Sequence, residues 1–202
     1  MLLNRFFLII FINLILVSCD NKEKAEIPKL DLNNKEQVLQ VLKNHFDKDI
    51  SQVFIGNFDD DKKLTIVACA EKMDSTIWGI QFFHITQEKG NIKILFKTEI
   101  LQGSLKDARL DKIKIFDSQL EHIYYNSLNY FMGSGGGEIF SYIIDFKEKQ
   151  VYYSHFVNDI DYPYSLYISE NVNDLKLRNF IISIFKRDYP KLKIVEKDIE
   201  LD

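Results

Sequence analysis

Residues 64–97 read LTIVACAEKMDSTIWGIQFFHITQEKGNIKILFK, and the fold follows from the period of that run. Leu64, Ile66, Ala68 and Ala70 alternate with Thr65, Val67, Cys69 and Glu71, a period of two that predicts a strand rather than a helix. Trp78 to Ile85 is apolar on both parities, which predicts a central strand covered on both faces. Ile92, Ile94 and Phe96 alternate with Lys93, Leu95 and Lys97, as in a half-exposed strand, and Lys89, Gly90 and Asn91 turn between the two. Upstream, Val53, Phe54 and Ile55 run into an acidic turn and make a hairpin with 64–70.

A similar order recurs downstream: Lys112 to Phe116, a turn at Asp117 to Gln119, Leu120 to Asn126, a loop, Ile139 to Phe146, a turn at Lys147 to Lys149, and Val151 to Val157. Two four-stranded, mostly antiparallel units are therefore expected. A helix is expected near each end. The first runs from about Lys35 to Phe46, capped by Asn33, with Val38, Leu39, Val41, Leu42 and Phe46 on one face. The second runs from about Asn173 to Arg187, with Leu177, Phe180, Ile181, Ile184 and Phe185 in its apolar stripe and Pro190 ending it. A last strand is expected near Leu192 to Val195. The fold class is α+β, with the strands arranged as a sandwich or a partial propeller.

With 46% hydrophobic residues over 202 positions, the chain can bury a core and is not a disordered tail. Its formal net charge of -4, from 26 basic and 30 acidic residues, argues against nucleic acid as a partner.

At the N-terminus Arg5 precedes an apolar stretch from Phe6 to Val17, broken only by Asn13, which is short for a bilayer span. A basic start and a short apolar core before a small residue make the signature of a secretory signal. Leu16, Val17, Ser18 and Cys19 resemble the lipobox of bacterial lipoproteins. That resemblance implies cleavage before Cys19, acylation of its thiol and a place in the bacterial cell envelope, on the periplasmic or surface face of a membrane. Residues 1–18 are then a signal peptide and 19–29 a lipidated Cys with a polar, flexible tether. Residues 30–202 form one globular domain. Acyl chains contribute about 0.8 kcal/mol per buried methylene, so several of them anchor a soluble domain without any membrane-binding face. Cys69 is then the one thiol left free, and its strand position predicts a buried, inert group.

The acidic turn carries Asn57, Asp59 and Asp61 in alternation, a spacing that collects hard oxygen ligands for calcium. An EF-hand starting at Asn57 would need Gly and Glu where Lys62 and Ala68 stand, which excludes that loop. Gly56 to Val67 resembles a degenerate FG-GAP or VCBS-type repeat, which in that family places calcium between two propeller strands. Lys62 and Thr65 depart from its usual Gly and Asp. The other reading of these residues is an exposed charged hairpin turn. No other cofactor is expected.

Four of the eight glycines fall at Gly133, Gly135, Gly136 and Gly137 around Ser134. A strand follows rather than a helix, so neither a phosphate loop nor a nucleophile elbow fits. His45, His84, His122 and His155 are scattered, and His84 shares parity with Trp78, Ile80 and Phe82, as a hydrogen-bonded core histidine would. No catalytic residue is assigned. All ten Tyr lie between Tyr124 and Tyr189. Either they fill strands or they make a recognition surface, with Ser134, Gly135, Gly136, Tyr162 and Tyr164 contacting a protein or glycan partner. The function expected is a non-enzymatic envelope binding module, of which an immunity or inhibitor protein is a narrower form. The alternative is a lipid-anchored envelope hydrolase with a site assembled from dispersed residues.

Overall fold

The computed structural model describes residues 27–46, 49–60, 62–73, 78–103, 108–116, 118–127, 136–159, 165–190 and 195–198. The chain enters the fold at Pro28 to Leu30: Gln87 accepts from the Leu30 N–H at 2.8 Å and donates to the Pro28 carbonyl at 3.1 Å, and Leu30 is buried. Helix α1, Lys35–His45, follows. Its cap is Asn34, which accepts from the Gln37 N–H at 3.0 Å, one residue beyond the expected Asn33. Asp31 causes the shift, because its carboxylate holds the Asn33 N–H and its carbonyl the Asn34 N–H, extending the turn by one residue.

The first sheet contains β1, Ile50–Gly56, β2, Thr65–Met73, β3, Trp78–Glu88, and β4, Asn91–Lys97. These lie side by side as an antiparallel meander, and the short β5, Leu101–Gln102, pairs with β3 beyond the end of β4. The second sheet repeats the meander with β6, Arg109–Lys114, β7, Glu121–Asn126, β8, Gly136–Asp145, and β9, Gln150–Asp159. It is widened by β10, Ser165–Ile168, and by β11, Val195–Asp198, which lies parallel to β10 after helix α2, Leu175–Asp188. Each expected four-stranded unit is present, extended to five strands in one sheet and six in the other. The fold is α+β, with a helix near each end of the chain.

Three apolar clusters stack these elements into four layers. Val38 and Leu42 of α1 pack on Val53, Ile66, Ala68, Phe83 and Ile85 of the first sheet. Val67, Cys69, Ile80 and Phe82 on its other face meet Ile123, Tyr125, Phe140, Tyr142 and Ile144 of the second. Tyr124, Ile143, Phe156 and Leu166 then carry Leu177, Ile181, Ile184 and Phe185 of α2. The doubly apolar pattern of β2 and β3 is thus explained, because both faces are covered. Trp78, at the strand end, is 60% exposed. Among the described residues, no helix is long and apolar enough to cross a membrane.

The two sheets are clasped at one end by main chain. Asn57 donates its N–H to Glu121 Oε2 at 3.0 Å and accepts the Glu121 N–H at 2.7 Å. Lys112 Nζ closes the joint by donating to the Ile55 carbonyl at 2.8 Å while standing 2.9 Å from Glu121 Oε1. Gly56 makes this approach feasible, since a Cβ there would overlap the Glu121 carboxylate. At the other end the Tyr125 hydroxyl donates to the Gln102 carbonyl at 3.0 Å.

Gly56→Ala should therefore lower unfolding free energy by about 1–3 kcal/mol, the usual cost of overpacking, as measured by chemical denaturation. The same change in a Glu121→Ala background should cost distinctly less, because the two side chains compete for one space. Equal costs in both backgrounds would show that the clasp does not govern the joint.

Candidate functional site

The described side chains of the acidic turn have different partners. Asn57 Nδ2 donates to the Asp60 carbonyl at 3.3 Å, and Asp60 Oδ1 accepts the Lys62 N–H at 2.9 Å. Asp59 Oδ1 lies 3.8 Å from His84 Nε2. Asp61 lies outside the described residues. Among the described residues, no group of three His, Cys, Asp or Glu side chains stands ready for a metal ion.

Turns from three hairpins instead enclose a groove of about 480 Å³. Asp59 and Asp60 come from the β1–β2 turn, Ser118, Gln119 and Leu120 from the β6–β7 turn, and Lys147 from the β8–β9 turn. Beneath it Phe58 and Phe146 meet edge to face at 5.3 Å, and both are buried. His84 packs against the two rings, is 1% exposed, and shares a 2.9 Å hydrogen bond with Thr65 Oγ1. Burial lowers the His84 pKa from its ordinary value, with Asp59 opposing that shift and Lys149 and Lys63 adding to it. His84 is the hydrogen-bonded core histidine its strand parity indicated.

Each of the other two described sheet histidines has a carboxylate. His122 Nε2 stands 3.4 Å from Asp145 Oδ2. Burial alone would raise the Asp145 pKa, but the contact with His122 and the amides of Glu148 and Lys147 hold it below the usual carboxylate range. His155 Nε2 is 3.0 Å from Glu138 Oε2, and its ring stacks on Phe140 at 4.5 Å.

His155 marks the margin of the interlayer core. On this face of the second sheet rings run from Tyr125 to Tyr142 and Tyr153, and from Phe140 to His155 and Tyr167. The first of these are in the core, whereas Tyr153, which packs against it, and His155, Tyr167 and Glu138 are half-buried on β8 to β10. Of the residues expected to contact a partner, Gly136 opens β8 opposite Asp159. Ser134, Gly135, Tyr162 and Tyr164 lie outside the described residues. Gly136 and Asp159 are partners at this end of the β8–β9 ladder, two positions from Glu138 and four from His155. The described tyrosines divide: Tyr124, Tyr125 and Tyr142 are buried strand filling, and Tyr152, Tyr153, Tyr167 and Tyr189 are half-buried.

Glu138 and His155 were not singled out as a pair from sequence, although a signal existed. The tight turn after Asp145 sets the β8–β9 register, which puts Phe140 opposite His155 and Glu138 on the adjoining diagonal. Cys69 is buried, and desolvation pushes its thiol up to about 12, leaving it inert as its strand position indicated. Chemically, the ledge offers a carboxylate–imidazole pair set among rings, and the groove offers fixed charges of both signs. No family model, curated protein or solved structure matches the chain.

The depressed pKa of His84 fixes the sign of one pH effect. The unfolded chain, with this imidazole near 6.5, takes up the proton before the folded one, so stability is present above that pH and is lost as pH falls through the folded-state value. Asp145 and Asp188 also have lowered pKa values, and their contribution disappears only in the more acidic carboxylate range. Between about pH 7.5 and pH 5.5, urea denaturation should show the parent chain losing more stability than His84→Gln. Equal losses would assign the slope to other groups.

Proposed function

We propose that the chain is a lipid-anchored, non-enzymatic binding module of the bacterial cell envelope, held to a membrane through Cys19 and engaging a protein or glycan partner. The observation that carries this reading is Leu16, Val17, Ser18 and Cys19 directly after a short apolar run with a basic start. The contacts of Pro28 and Leu30 with Gln87 support it, because they leave the stretch from Cys19 to Ile27 ahead of the docked chain as a spacer. Fully extended, that spacer reaches roughly 30 Å from the lipid.

The binding face we assign is the ledge of Glu138, Tyr153, His155 and Tyr167. It combines half-buried rings with paired polar groups, as recognition surfaces do. One observation favours a hydrolase instead: the carboxylate of Glu138, 3.0 Å from His155 Nε2, can orient an imidazole as a general base. The two readings separate experimentally, because a base is required for turnover and a ledge only for affinity.

Cys19→Ala should abolish metabolic fatty-acid labelling and leave the precursor uncleaved or released. Labelling that persists would overturn the anchor. With a partner captured from envelope extracts, Tyr153→Ala and His155→Ala should each weaken binding about tenfold while leaving the thermal midpoint within a few degrees. Unchanged affinity would remove the ledge from the binding face. A hydrolytic activity lost in both His155→Gln and Glu138→Gln would establish the second reading.

A further inference from the structure

The groove above Phe58 and Phe146 is separate from the ledge, and its construction identifies a ligand class. Its charged walls are held by neighbouring buried groups. Asp59 follows Phe58 and Lys147 follows Phe146, so the contact between the two rings brings the backbones of the two turns together on either side of the opening. The Lys147 N–H is held by Asp145 Oδ1 at 3.0 Å, which fixes that turn further. Leu120 adjoins Glu121, whose main-chain and side-chain bonds to Asn57 lock the third wall against the first. With the backbones of all three turns set before binding, only the side-chain ends have to be ordered on occupation.

The groups facing this space are uncommitted. Among the described residues, Lys147 Nζ has no hydrogen bond or ion pair, and Asp59 turns its buried Oδ1 toward His84 Nε2 at 3.8 Å while its side chain as a whole stays 31% exposed at the groove. Asp60 uses its carboxylate only toward the Lys62 N–H. Lys147 and the two carboxylates line one groove, and among the described residues no ion pair joins them, so none of them is taken up by another across the opening. A neutral sugar would desolvate both signs without compensation, a plain anion would meet Asp59 and Asp60, and a plain cation would meet Lys147. A molecule with an ammonium at one end and a carboxylate at the other satisfies all three.

We propose that this groove binds the zwitterionic backbone of a short peptide, its α-ammonium on Asp59 and Asp60 and its terminal carboxylate on Lys147, with Leu120 beneath the side chain. The volume of about 480 Å³ falls in the range of small-molecule sites. The walls are solvent-open, so screening keeps the affinity modest.

The test uses the dipeptide alanyl-alanine and its N-acetylated and C-amidated forms, titrated into the full domain from Cys19 onward and followed by amide NMR shifts. Binding at millimolar concentration should move the amides of Gln119, Leu120 and Lys147, and blocking either end should weaken it about fivefold. In Lys147→Gln the preference for a free carboxylate over an amide should vanish, while the preference for a free amine over an acetyl group remains. Asp59→Asn should show the reverse. Both substitutions are at solvent-reachable positions, and unchanged shift dispersion confirms folding. Absence of shifts up to about 10 mM, equal binding of the blocked forms, or a carboxylate preference that survives Lys147→Gln would each overturn the proposal.

Discussion

The reciprocal pairing of Asn57 with Glu121 is the constraint on which the rest of this structure turns. Two antiparallel meanders could slide over one another if only apolar side chains met between them, because hydrophobic contact has no direction. Main-chain hydrogen bonds do have direction. Here the N–H and carbonyl of one residue are both satisfied by a residue of the other sheet, and Lys112 ties the same carboxylate to β1. Gly56 admits the approach by having no side chain.

From that joint the layering follows. With the sheets in register, Phe58 reaches Phe146 and His84, Phe82 reaches Tyr125, and Tyr125 stacks on Tyr142. Each sheet then has one face on its neighbour and the other on a helix, so large apolar surfaces have few places to appear. The candidate surfaces are those the layers do not cover. One is the set of turns at the clasped end, and the other is the margin of the wider sheet, on β8 to β10.

The ionisable groups obey the same geometry. His84 and Cys69, sealed between layers, are pushed toward their neutral forms by desolvation. Asp188 shows the opposite balance at the end of α2. Burial raises its pKa, but hydrogen bonding from Arg187 and the charges of Arg109 and Arg187 more than offset that, and the carboxyl stays below its usual range. Burial between the sheets thus favours the neutral forms of His84 and Cys69, whereas the arginines around Asp188 favour its charged form.

Period and turn chemistry in the sequence by themselves determined the strands 64–70, 78–85 and 92–96, the two amphipathic helices and the α+β class, because these depend on which residues neighbour one another along the chain. They also marked Asp59 as part of an acidic turn and Gly136 as the edge of a glycine-rich loop. They placed a last strand near Leu192 to Val195, where β11 runs Val195–Asp198, but did not show that β5 and β10 widen the sheets, since two- and four-residue strands have too little period to read. Nor did they show that Asp59 and Lys147, 88 residues apart, line one groove, beside the contact of Phe58 with Phe146 in the interlayer core. Glu138 and His155 meet through a strand register that one tight turn sets. Local structure, the Glu138–His155 pair included, is encoded by short-range spacing, whereas the groove arises where separate hairpins are brought together, and that was decided only by how the two sheets pack.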